Sequence, residues 1–326
     1  MEKKSVFWIA FGLSAAEIAV FVVMRLLNAG LRFSLGPLVP SLSEYQLDLL
    51  NVGVYLLRDV VMYGTLIFVL WIVIRWLPGM PKLQKSTISF KMFVALFLIS
   101  AGVSYFISYP ASFADSIFTA ALKDLYTLLL SPMFGPLPEP SEPSELSSLM
   151  KIANLVVVCI FAPVFEELMF RRVLLDKLRP FGDLAAILVC GFTFGLTHLN
   201  VSQFLYASFG GFVFSYVMIK TNRLIYPILL HAAYNAISSI LFPLIWTGSE
   251  LAGLTYLGNL SIVGIAFGLS VIGLAMFFTT LKKIKLDRPV FRFSRRVGTG
   301  LIMGNVGTIL YLVICFGFFT YYAIMS

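Results

Sequence analysis

The stretch Val164-Phe165-Glu166-Glu167-Leu168-Met169-Phe170-Arg171-Arg172 sets two adjacent carboxylates inside a long apolar run. In a membrane-spanning helix each such acid costs roughly 2.5–3.5 kcal/mol or more unless it faces protein, water or a partner. Whether the run spans a membrane is decided by its surroundings. Of the 326 residues, 59% are hydrophobic and only 12% charged, and the mean hydropathy is +0.93. Apolar runs long enough to cross a hydrocarbon core of about 30 Å recur along the whole chain, without the strict alternation of a membrane barrel strand. The fold class is all-α: a polytopic transmembrane helical bundle of about 8–9 helices.

Outward from the acid pair, the expected spans are 6–24, 54–74, 92–109, 152–170, 184–199, 204–219, 225–246, 259–280 and 301–322, with 114–130 as a possible additional half-inserted helix. The first run follows Met1-Glu2-Lys3-Lys4 but lacks a small-residue cleavage site, and reads as a retained helix. The net charge of +8 does not point to nucleic acid, because most of the 24 Lys and Arg lie in short connections between spans. Counted on alternate sides, they place the N-terminus in the cytoplasm and, with nine spans, the C-terminus outside. An integral protein of a bacterial plasma membrane is expected. Cys159, Cys190 and Cys315 lie singly within apolar runs and form no disulfide or thiolate-metal pattern.

The chain divides at residues 132–148, a proline-rich external linker whose stretch from Pro132 to Glu145 is not expected to form a helix. Residues 1–131 supply N-terminal transmembrane helices, 149–246 a helical core, and 247–326 C-terminal helices with a basic cytoplasmic segment at 281–297 suited to anionic lipid headgroups. Before the linker, Glu17 and the pair Arg58-Asp59 are intramembrane charges for which structural pairing is the expectation.

The core carries the chemistry. Glu167 and Arg171 are four residues apart and share a helix face, so the arginine can hold that carboxylate ionised, whereas Glu166 points about 100° away and is left free. Phe194 and His198 on the next helix, and His231 and Asn235 on a later one, repeat the four-residue spacing. From the turn at Arg179 to Asp183, Glu166 lies about 20 Å back along its helix and His198 about 22 Å forward along the next, so they can meet. Gly210, Gly211, Ala232 and Ala233 permit close helix approach around them. A carboxylate withdrawn from water is suited to general-base work, and histidine with a side-chain amide can donate to a developing oxyanion. Those parts suit amide hydrolysis.

Glu166-Glu167-x-x-x-Arg171, Phe194-x-x-x-His198 and His231-x-x-x-Asn235, in that order on three apolar helices, resemble the CPBP family of intramembrane proteases, which includes CAAX prenyl endopeptidases and bacteriocin-processing or Abi proteins. The resemblance covers about residues 151–241. It implies an intramembrane endopeptidase acting on a peptide or membrane protein, with Glu166 as base, His198 placing the water, His231 and Asn235 as oxyanion donors, and Glu167, Arg171 and Phe194 in support. It leaves two mechanisms open: a Zn²⁺ held by Glu166, His198 and His231, or a metal-free glutamate protease. The second is favoured because Asn235 suits a donor better than a zinc ligand. The alternative to an enzyme is a non-proteolytic membrane partner, an immunity or sensor-regulating protein built on the same fold.

Overall fold

The computed structural model describes residues 2–79, 84–137, 146–245, 254–282, 284–287 and 304–325, and among these every regular element is helical. The long helices are α1 Glu2–Leu35, α2 Glu44–Ile74, α3 Phe90–Leu129, α4 Ser148–Phe181, α5 Asp183–Leu196, α6 Val201–Thr221, α7 Ile225–Ile245, α8 Thr255–Leu281 and α9 Val306–Met325. Their starts are marked by side chains that satisfy orphan backbone donors: Ser43 with Gln46 at α2, Ser89 at α3, Ser147 at α4 and Asn200 at α6. All but α5 are long and apolar enough to cross a membrane. Large apolar side chains such as Phe106, Phe267 and Phe316 stay exposed on the outside, as lipid-facing surfaces require.

Three expectations change. The segment read as a span at 184–199 is the 14-residue α5, which at about 20 Å is too short to span, so eight helices rather than nine meet the length requirement. It stops at Leu196 because Thr197 Oγ1 donates to Phe194 O at 2.8 Å and Leu199 takes a left-handed φ of 57°. His198 therefore sits on a turn between α5 and α6, not within a helix. The segments at 92–109 and 114–130 are one 40-residue helix, α3, about 60 Å long with Pro110 inside it. A proline removes one donor, and the helix beyond it is held from outside: Asp115 Oδ1 accepts from Val201 N at 3.0 Å and Ser112 Oγ lies 3.2 Å from Ser202 Oγ. The proline-rich stretch opens on a helical turn, Ser131–Phe134, in which Pro132 occupies a first-turn position where its missing N–H costs nothing. Residues 138–145 of that linker, and 283 and 288–297 of the basic segment, lie outside the described residues.

One end of the bundle is fixed by polar ties between connections. Lys177 Nζ donates to Leu77 O at 2.8 Å, Arg172 to Asn222 Oδ1 at 3.3 Å, Ser86 N to Thr221 O at 3.0 Å and Asp287 N to Asp183 Oδ2 at 3.0 Å. Trp8 on α1 meets Trp76, just past α2, edge to face at this same end. The start of α1 and the ends of α2, α4, α6 and α8 thus share one face of the molecule, and α9 runs beside α1 in the same direction, with Gly307 against Phe7 and Tyr321 against Arg25.

The core has two main parts. One joins α1, α2, α4, α5, α6 and α9 around Leu70, Phe170, Leu174 and Phe194. The other joins α3, α6 and α7 around Phe209, Phe214 and Leu230. Glycines set the closest approaches: Gly211 of α6 lies so near Gly191 of α5 that an added Cβ would stand 2.9 Å from its Cα. The close approach expected at Gly210–Gly211 belongs to Gly211 alone, since a Cβ on Gly210 would make only ordinary contacts.

Candidate active site

Helix α4 is not a uniform helix where it carries the acids. The α-helical segment Ala162–Glu167 lies between two wider turns, Val157–Phe161 and Leu168–Leu174, in which Ala162 N–H reaches Val157 O and Leu175 N–H reaches Phe170 O, five residues back. Turns of this π type recur at functional sites.

The two carboxylates have separate surroundings. Glu167 is fully buried; its Oε2 lies 3.0 Å from Arg171 Nε and its Oε1 accepts from His231 Nδ1 at 3.0 Å. Arg171, 1% exposed, also donates to Gly211 O at 3.2 Å and stands 4.7 Å over the Phe194 ring and 5.4 Å from that of Phe214. Glu166 has no arginine. Its Oε1 accepts from Tyr63 Oη at 2.8 Å, and its Oε2 stands 3.8 Å from His231 Nε2, beyond hydrogen-bond range.

The hydrogen bonds decide what each ring nitrogen can offer. His198 Nδ1 meets Phe194 O at 2.9 Å; a carbonyl only accepts, so Nδ1 carries the proton and Nε2 is left as an acceptor in the neutral ring. By the same reasoning the Glu167 carboxylate holds the proton on His231 Nδ1 and turns Nε2 toward Glu166. Phe194, 2% exposed, presents its ring edge-to-face to both His198 at 5.1 Å and His231 at 5.6 Å, while Phe214 stacks on His231 at 5.3 Å. Asn235 Nδ2 donates to Val158 O at 2.8 Å, inside the first wide turn of α4, with a second N–H remaining.

Glu166, Phe194, His198, His231 and Asn235 line one cavity of about 330 Å³, together with Tyr206 and Tyr234. The acid, the two histidines, the asparagine and Phe194 singled out in the core segment thus line one space, with Glu167 and Arg171 buried behind it. Tyr63 is the member that sequence reasoning missed. It lies 103 positions from Glu166 on an ordinary apolar helix, and its ring also stacks on Phe165 at 5.5 Å.

The fit of a zinc ion can be judged from the donors. Each histidine bonds through Nδ1 and Glu166 through Oε1, which leaves Nε2 on both rings and Oε2 on Glu166 open, but among the described residues no three His, Cys, Asp or Glu side chains converge as a ligand group. As placed, they do not make a zinc site.

A family model described as Type II CAAX prenyl endopeptidase Rce1-like matches residues 148–237. No curated protein and no solved structure matches the chain. The match begins with α4 and ends just after Asn235, so it contains the acid pair, both histidines and the asparagine, and excludes Tyr63. The segment of this membrane protein that holds these groups is thus similar to the CPBP/CAAX family of membrane endopeptidases.

Proposed function

We propose that the chain is an intramembrane endopeptidase in which Glu166 activates water. The observation that carries this reading is the division of the acid pair. Glu167 is neutralised by Arg171 and His231, while Glu166 faces a cavity shared with His198, His231 and Asn235. Water placed between Glu166 and the acceptor nitrogen of His198 gives its proton to Glu166 as its oxygen adds to the peptide carbonyl. The oxyanion that forms takes hydrogen bonds from Asn235 Nδ2 and, when the ring carries both protons, from His231 Nε2. Glu166 then returns the proton to the departing nitrogen as the C–N bond breaks, which balances the step without a further reactant. Substrate is a peptide or membrane protein reaching the site within the bilayer, and the basic end of the bundle faces the cytoplasm.

The family description makes a prenylated peptide of CAAX type the first substrate to test. Protein reconstituted in nanodiscs is expected to cleave it, with product mass locating the bond, and to retain its rate after exhaustive chelation. Loss of activity on chelation that zinc restores would overturn the metal-free mechanism, and no cleavage of this peptide or of membrane proteins would overturn the enzyme reading. Tyr63→Phe removes one hydrogen bond to a charged acceptor, worth about 1.5–3 kcal/mol. A fall in kcat of about tenfold or more is expected, with KM little changed.

A further inference from the structure

Glu166 and His198 also form the wall of a second cavity, of about 400 Å³, between α1, α2, α4 and α9. Its lining includes two arginines from membrane-spanning helices, Arg25 of α1 and Arg58 of α2. Structural pairing would explain charges at such depth, yet among the described residues neither arginine nor Glu17, which lines the same cavity, has an ion-pair partner within 4.0 Å. Arg25 donates one guanidinium N–H to Tyr321 Oη at 3.0 Å and sets its guanidinium carbon 5.1 Å from the centre of the Phe21 ring, which orients the group and leaves further donors over. Arg58 is exposed and its charge acts on its sequence neighbour Asp59. Guanidinium is planar, permanently charged and weakly hydrated, the side chain best matched to a carboxylate. Measured along the helices from the basic end, Arg58 stands at about 24 Å, close to Glu166 at about 22 Å, and Arg25 further out at about 34 Å.

We propose that Arg25 and Arg58 form an anion subsite that holds a carboxylate of the substrate on the α1/α2 side of Glu166. The inference rests on the protease reading for its purpose, since a peptide lying across Glu166 from one cavity to the other brings its end into this space. A carboxylate there would meet Glu166, the Glu17 carboxyl that lines the same cavity, and the cost of leaving water, and the two arginines are the groups that act against all three. The subsite lies outside the matched segment 148–237, so it would give this chain a selectivity of its own.

The test uses one N-dansylated prenylated CAAX peptide made as the free acid, as the C-terminal amide, and as an amide ending in glutamate. Cleavage is measured with the full-length protein, and equilibrium binding by dansyl anisotropy with Glu166→Gln protein. The free acid is expected to bind and react at least about tenfold better than the amide, the scale of a charge-assisted hydrogen bond. Arg58→Gln and Arg25→Gln should reduce that ratio toward one, mainly through KM, while Arg58→Lys keeps part of it. Rescue of the amide by the terminal glutamate would place recognition on a side-chain carboxylate and still support the subsite. Equal handling of acid and amide by the parent, or an equal loss for both in the variants, would overturn it. So would phosphatidylglycerol in the nanodisc abolishing the discrimination, which would assign the arginines to lipid phosphate. Acid-selective binding without hydrolysis would retain the subsite and reject the protease.

Discussion

Glu166→Gln is expected to lower the rate of peptide cleavage about a thousandfold while leaving the helices packed as they are, because a positioned general base contributes about 10²–10⁴. The substitution is informative because it changes little else. The amide oxygen can still accept from Tyr63 Oη, now 2.8 Å from Glu166 Oε1, and the side-chain volume is nearly the same. What is lost is the capacity to take a proton from water and return it. Substrate affinity should therefore persist, and thermal unfolding in detergent should shift by no more than a few degrees. Residual cleavage close to that of the parent would remove Glu166 from the chemistry and return attention to Glu167. That outcome would be hard to reconcile with the burial of Glu167, both of whose oxygens are committed to Arg171 and His231.

Arg171→Met is expected to have the largest effect on stability, about 3–5 kcal/mol, since removing one partner of a buried ion pair leaves the other charge uncompensated. The arginine is 1% exposed and Glu167 fully buried, so solvent cannot replace the lost cation. The guanidinium also bonds Gly211 O and lies over the rings of Phe170, Phe194 and Phe214, so the loss reaches α5 and α6 as well as α4. A double variant Arg171→Met/Glu167→Gln separates these contributions. If charge dominates, the second substitution recovers a large part of the first, measured as an unfolding midpoint in denaturant. If the double variant is no better than the single, the arginine acts through packing on the aromatic rings.

What could be read from the chain was local. The four-residue spacings from Glu167 to Arg171 and from Phe194 to His198 are contacts within one or two helical turns, so the sequence itself contains their geometry. The composition likewise contains the membrane, and hence the helices. Contacts that depend on how two helices cross were not legible. Tyr63 reaches Glu166 because α2 packs beside α4, and nothing in the residues around Tyr63 distinguishes that crossing from another. The length of α5 was hidden for a similar reason: Leu196 to Asn200 contains neither proline nor glycine, and the helix ends through a threonine back-bond and a strained leucine. In α3 the misreading ran the other way, since Pro110 looks like a stop but the helix beyond it is held by partners on α6.

The two wide turns of α4 have a consequence for how related chains are to be compared. A backbone bond that closes one residue late inserts a step of about 100° between the faces on either side. Residues before Val157, between Ala162 and Glu167, and after Leu174 therefore keep three independent phases, and the acid pair belongs to the middle one alone. A relative lacking one residue at 157–161 would keep every letter of the motif, yet turn Glu166 away from Tyr63 or Asn235 away from Val158 O. Alignment gaps at these two places are changes of rotation, and they separate chains that share the spelling of this site from those that share its geometry.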